Sequence, residues 1–239
     1  MSPKVIGVLG GMGPAATAEL FNRVITNTSV EMDQDHVNMI IINDPQIPDR
    51  TNYIFGKGTS PVPRLTENLH KLFYAGADVA VIPCMTAHAF ISELKQKSPI
   101  PIVNAIELVE LHLRDLFSSE TRIGLMATDG SVKSGVFEEY ISNEIVVPEE
   151  KDQKKLMEII YGENGIKSGN TSYGISVALK ELVKKLKKAN VKAIIAGCTE
   201  LSLVMDTEKM GIEVIDPILL LAKHIVNIGS RNAITVDDS

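Results

Sequence analysis

The chain has 239 residues, enough for one large domain or two of ordinary size. Its hydrophobic fraction of 44% and charged fraction of 23% are those of a folded globular protein, which excludes disorder as the state of most of the chain. A net charge of −6 argues against nucleic acid and an anionic membrane surface as partners.

In chain order, KVIGVLG (4–10) reads as a strand leading into the turn GGMG, which is not the pattern of a signal peptide. AATAELFNRVITNTS (15–29) has helical spacing, and VNMIIIND (37–44) reads as a second strand. A helix over RLTENLHKLFYAG (64–76) precedes the strand ADVAVIP (77–83) and the short strand PIVN (101–104). Then come the helix AIELVELHLRDLF (105–117), the strand RIGLMA (122–127) and the helices KKLMEIIYGE (154–163) and GISVALKELVKKLKKAN (174–190). VKAIIAG (191–197) and IEVID (212–216) are the last strands, and the aperiodic SRNAITVDDS (230–239) reads as a loosely held tail. Several strands are apolar throughout, the sign of burial on both faces. The alternation predicts an α/β fold of mainly parallel sheets flanked by helices.

The basic run KELVKKLKK (180–188) has helical spacing and reads as a solvated helix face. No apolar run approaches the ~18–20 residues that span a bilayer. Two cysteines without an export signal point to a reducing cytoplasm.

An internal repeat carries more information than any single element. KVIGVLGGMG matches TRIGLMATDG at an offset of 117, VAVIPCMTAH matches AIIAGCTEL at 114, and IPIVNAIELVE matches IEVIDPILLLA at 112. Three matches in one order predict two similar α/β halves related by a pseudo-two-fold axis. The expected division is 1–103 with 212–239 as the first domain and 104–211 as the second. Each half holds one of the two cysteines, Cys84 and Cys198, just beyond a strand end, where parallel sheets bind ligands. The expectation is one thiol on each side of a shared cleft; a disulfide is the structural alternative.

A thiol at a helix start has a lowered pKa, and Thr86 and Thr199 are expected to cap such helices. Two opposed thiols form a two-base system: one removes a proton from carbon, the other returns a proton on the opposite face. That chemistry inverts an amino-acid Cα, provided cations hold the substrate carboxylate. No metal-ligand motif is present. His36, His70, His112 and His224 read as surface or packed residues, and His88 as a structural neighbour of Cys84 rather than a catalytic group.

The stretches IGVLGGMGPAAT (6–17), PQIPDRT (45–51), PCMTAH (83–88) and AGCTEL (196–201) together resemble the aspartate/glutamate racemase family, closest to cofactor-independent aspartate racemases. The resemblance runs from about residue 4 to 228. It implies two α/β domains, a homodimer, no pyridoxal phosphate or other cofactor, and a small acidic amino acid as substrate. Carried over by position, it makes Cys84 and Cys198 the acid/base pair and Arg50 and Lys167 the carboxylate-binding cations. Thr86 and Thr199 become substrate contacts, Met12 lines the pocket, and Gln46 is a weaker contact. Glu200 matches the aspartate branch, whose relatives read GCTE. Met85 departs from the family's asparagine, so Met85→Asn is expected to raise activity on aspartate.

Three rival readings remain open on the sequence. GMGPAA (11–16) has the outline of a dinucleotide site, although Pro14 interrupts it and Asp44 comes late for a ribose-binding acid. A two-lobed protein with a cationic cleft could bind an acidic amino acid without turning it over. A family member could also act on another substrate, such as a hydantoin or a maleate-type acid.

Overall fold

A computed structural model describes residues 3–230; the predicted tail beyond Ser230 lies outside the described residues. Two parallel sheets form. The first contains β1 (Ile6–Gly10), β2 (Met39–Asn43) and β3 (Val79–Val81) in the order β2-β1-β3. Ile102 extends it by a single bridge to Ala80, in place of the predicted strand over 101–104. The second contains β4 (Ile123–Met126), β5 (Ile145–Val146), β6 (Ala193–Ala196) and β7 (Glu213–Ile215) in the order β5-β4-β6-β7. The orders match element for element, as the repeat requires. Strand β5 was not among the predicted ones: at two residues it is too short to show a period.

Helices follow in chain order. In the first half they are α1 (Pro14–Asn27), α2 (Arg50–Ile54), α3 (Val62–Tyr74), α4 (Ile91–Lys97) and α5 (Ala105–Leu116). The second half has α6 (Asp129–Ser134), α7 (Val136–Tyr140), α8 (Glu150–Tyr161), α9 (Tyr173–Lys188), α10 (Thr207–Met210) and α11 (Pro217–Gly229). The five predicted helices match α1, α3, α5, α8 and α9 with shifted ends.

Strand periodicity sorts each sheet's two faces. Ile6, Val8, Val79 and Val81 of the first sheet and Ile123, Leu125, Ala193 and Ile195 of the second share one core with α1, α5 and α11. The outer face of the first sheet, through Leu9, Ala80 and Ile82, packs on Leu65, Leu69 and Leu72 of α3. Met126, Ile194 and Ala196 of the second pack on Leu156 of α8 and Leu179, Leu182 and Val183 of α9. Each such Leu is worth roughly 1.5–3 kcal/mol by burial. The repeat reaches into the caps. Asn104 accepts from the backbone N–H of Ile106 and Glu107 at the start of α5, and Asp216 from Ile218 and Leu219 at the start of α11. Strand β7 pairs with β6 in the second sheet, while α11, which follows it, packs on α1 and α5. With three inner helices common to both sheets, the division at 103, 104 and 212 stands as a proposal.

Two close approaches shape the strand ends, the first within the first half and the second between the halves. Gly11 has φ +96°, and a Cβ there would lie 2.3 Å from the Asp44 carbonyl carbon. At Gly130 in α6 a Cβ would lie 2.6 Å from the Thr51 hydroxyl and 3.0 Å from the Thr86 methyl, so only glycine lets α6 seat against α2.

Candidate active site

The carboxyl ends of β1, β3, β4 and β6 converge on one small, nearly closed cleft. Met12, Arg50, Cys84, Met85, Thr86, Thr128, Tyr161, Lys167, Cys198, Thr199 and Glu200 line it. Nine of these eleven are residues the sequence reading picked out. Both cysteines are buried free thiols, one from each half. Gln46 is exposed and outside this lining; its amide oxygen accepts from Arg64 at 3.4 Å. Thr128 and Tyr161 were missed. Thr128 had a signal, since the repeat aligns it with Gly11 of the glycine turn. Tyr161, at the end of α8, had none.

Each cysteine loop is bolted to the helix that begins after the next strand segment. β3 stops at Val81, two residues before Pro83, and Cys84 opens a 3-10 segment, Met85–Phe90. His88 Nδ1 donates to the Cys84 carbonyl at 3.0 Å, and Nε2 accepts from Ala105 N–H of α5 at 3.1 Å. Both ring nitrogens are therefore occupied and the imidazole is neutral; burial lowers its pKa to about 4. His88 is structural, as expected. In the second half, Ser202 stands four residues after its cysteine, as His88 does. Its hydroxyl donates to Asp216 Oδ1 at 2.7 Å, and Arg23 of α1 pairs with Asp216 while donating to the Ser202 carbonyl.

The predicted threonine caps are not found. Thr86 Oγ1 instead shares hydrogen bonds with Thr128 Oγ1 at 2.9 Å and Ser131 Oγ at 3.0 Å, and Thr199 Oγ1 donates to Glu200 Oε2 at 3.4 Å. Cys84 and Cys198 precede short 3-10 turns (Met85–Phe90 and Leu201–Leu203), not α-helix N-termini. The expected dipole effect is correspondingly absent at Cys198. Burial, then the neighbouring Glu200 carboxylate, push that thiol well above its ordinary value, against the opposing pull of Lys167.

Two cations face the cleft, Arg50 buried and Lys167 partly exposed. Arg50 lies at the start of α2, where Asp49 caps the helix by accepting from Asn52 N–H. Its Nη1 donates to the carbonyls of Ile47 (3.2 Å) and Pro48 (3.0 Å), and Nη2 to that of Met12 (3.4 Å). Its Nε is buried without a hydrogen-bond partner among the described residues. Burial works against this charge, but the adjoining Cys84, Tyr161 and Asp49 outweigh it, and the pKa is raised. Lys167 comes from a 3-10 turn, Ile166–Ser168, in the loop between α8 and α9. Its ammonium pairs with Glu200 Oε1 and stands 5.3 Å from the Tyr161 ring centroid. Burial again opposes the charge, and Cys198 and Glu200 reverse the balance upward. Tyr161 is itself pushed up, mainly by burial.

Met85 is 1% exposed, lines the cleft and packs into the shared core with Phe137 and Val81. The turn at 11–13 departs from a dinucleotide cradle in one further respect. A Cβ on Gly13 would lie 3.1 Å from Glu200 Oε1, so a carboxylate of the other half closes over the start of α1. Among the described residues no group of three or more His, Cys, Asp or Glu is placed to hold a metal ion, and no helix is long and apolar enough to cross a membrane.

Comparison with known proteins agrees with this architecture. A family model described as Asp/Glu/hydantoin racemase matches residues 9–225. A broad specificity amino-acid racemase of Bacillus subtilis is 23% identical, over 93% of this chain and 97% of its own length. The Picrophilus torridus aspartate racemase superposes with a TM-score of 0.78 at 28% identity, covering 95% of each chain. A glutamate racemase of Bacillus anthracis superposes at 0.68 and 18% identity, covering 96% of this chain and 85% of that one, a likeness of fold.

Proposed function

The chain belongs to the Asp/Glu/hydantoin racemase family, and from that premise we propose that it is a cofactor-independent racemase interconverting L- and D-aspartate with Cys84 and Cys198. The observation that carries the reading is the pairing of two free buried thiols, one per half, with two cations, Arg50 and Lys167, around one cleft. In each turnover one sulfur takes the Cα proton, so a C–H bond breaks and an S–H bond forms. The electron pair left on Cα spreads into the substrate carboxylate. The opposite thiol then gives its proton to the other face of Cα and is left as thiolate. Arg50, with a buried unpaired Nε–H, and Lys167 hold the substrate's carboxylates. Thr86, Thr199 and Glu200 edge the same space, and Met12 and Met85 supply its apolar wall. The residues themselves move both protons, so the reading needs no cofactor. It takes the enzyme as a homodimer, as the resemblance implies, and as cytoplasmic, as two cysteines without an export signal suggest.

One observation favours a second substrate class. Lys167 already has its charge met by Glu200, and two methionines face the cleft. An amino acid with an uncharged side chain would leave that ion pair intact. The test is incubation with L-aspartate, L-glutamate and L-methionine in D₂O, following loss of the Cα–H signal and of optical rotation. Fastest exchange with loss of rotation on aspartate supports the first reading, and fastest on methionine the second. Binding without exchange of any of them would sink both in favour of an amino-acid sensor.

A further inference from the structure

The repeat that makes the two halves alike also marks where they differ. At the offset of 117 that relates β1 to β4, Arg50 corresponds to Lys167; at the offset of 114 that relates the cysteines, Thr86 corresponds to Glu200. Each half thus contributes one thiol and one cation. Beside Cys84 the remaining position is a neutral hydroxyl, Thr86, tied to Thr128 and Ser131. Beside Cys198 it is a carboxylate that is 2% exposed.

That carboxylate is fully engaged. Glu200 Oε1 pairs with the Lys167 ammonium, and Oε2 accepts from the Cys198 thiol at 3.1 Å and from Thr199 at 3.4 Å. With an ammonium on one oxygen, Glu200 is the acceptor on the other, so the shared hydrogen belongs to sulfur. Across the cleft, Arg50 adjoins Cys84, and among the described residues no carboxylate is bound to its guanidinium; its partners are backbone carbonyls. The site is therefore asymmetric: the Glu200–Lys167 ion pair faces Cys198, with a carboxylate oxygen on the thiol, and the Arg50 guanidinium faces Cys84.

We propose that Glu200 is a positioning residue that holds Cys198 in its protonated form in the empty enzyme, so that Cys198 begins the cycle as the proton donor and Cys84 as the base. The inference rests on the two-thiol reading above. The charged and titratable groups facing Cys198 are Glu200, Lys167, Tyr161, Arg50 and Cys84, and only Glu200 among the fixed charges disfavours a thiolate there. Removing its charge also frees Lys167 to pair with the sulfur, so both changes act in one direction.

The experiment is a thiolate titration by ultraviolet absorbance near 240 nm in the Cys84→Ser chain, with and without Glu200→Gln. The expected result is that Glu200→Gln makes Cys198 at least tenfold more acidic, while Glu200→Asp moves it by less. An unchanged midpoint, or a higher one, overturns the proposal. A second measurement needs no substitution: iodoacetamide labelling of the native chain across pH, with each cysteine followed by peptide mapping. Labelling of Cys198 should rise only above the ordinary thiol range of about 8.5; a midpoint at or below it overturns the proposal. Neither readout depends on turnover. A chain inactive on every amino acid would sink the racemase reading and leave the titration to decide the role of Glu200.

Discussion

Lys167→Met should destabilise the protein far more than the loss of a surface lysine, and a second substitution should undo most of the damage. The Lys167 side chain is 20% exposed and Glu200 only 3%. Replacing the ammonium by a thioether keeps the stem packed but strands a buried carboxylate, whose remaining partners are the Cys198 thiol and the Thr199 hydroxyl. Breaking a buried pair by removing one partner costs ~3–5 kcal/mol. The partial exposure of Lys167 puts this case near the low end, at about 3 kcal/mol, or a Tm loss of roughly 6–12 °C for a chain of this size. Glu200→Gln leaves an ammonium that can turn toward water, at a cost of about 1–2 kcal/mol. The double variant has neither charge and should return to within about 1 kcal/mol of the parent. Denaturant unfolding of the four proteins at pH 7 gives the cycle. The expected coupling is about 3 kcal/mol or more, and losses that simply add would refute the assignment of the ion pair as a buried, mutually dependent unit.

Arg50→Lys should cut kcat/KM on aspartate about 10- to 100-fold with the fold retained, because a planar two-pronged donor becomes a point charge; steady-state kinetics beside a thermal melt checks it, and unaltered kinetics removes Arg50 from the site. Cys84→Ser and Cys198→Ser should each nearly abolish racemisation. Each should still exchange the α-proton of one enantiomer in D₂O, with opposite preference in the two, since each variant keeps one thiol on one side, and more slowly in Cys84→Ser, where Glu200 holds the remaining thiol protonated; the same residual preference in both contradicts the two-base scheme. Met85→Asn, expected on the sequence to raise activity, should instead lower stability by about 1–3 kcal/mol, because the amide would enter the shared core beside Phe137 and Val81; a melt as high as the parent's would show that the position tolerates it. His88 makes stability pH-dependent. Its folded pKa of about 4 lies below the ordinary 6.5, so the unfolded chain binds the extra proton between those values. The stability is full above 6.5 and falls by up to about 3 kcal/mol as pH drops toward 4; unfolding at successive pH values should show that slope, and a flat profile would contradict a buried neutral imidazole.

The α/β class, five helices, the strand frame and the two halves were legible because they rest on local or repeated signals. Apolar strands and 3.6-residue periods record burial directly in residue type, and the repeat puts Cys84 and Cys198 at equivalent strand ends. Arg50, Lys167 and Glu200 came from motif resemblance rather than from pattern. What stayed hidden was short or non-local. Strand β5 has two residues, and Tyr161 reaches the cleft only because the turn after α8 carries Lys167 over its ring. The threonine caps failed because the chain after each cysteine makes a 3-10 turn and Thr86 finds hydroxyl partners 42 and 45 residues away.

Sequence by itself determined which residue types stand at the two strand ends, since a repeat preserves position. It could not determine their charge state or their partners, because these depend on what the other half brings within a few ångströms. Arg50 and Lys167 are equivalent cations along the chain, yet among the described residues one adjoins Cys84 with no carboxylate on its guanidinium and the other is paired with Glu200. That difference is electrostatic, it acts only at contact distance in a buried cleft, and only the packing of α1, α5 and α11 between the two sheets brings those groups into contact.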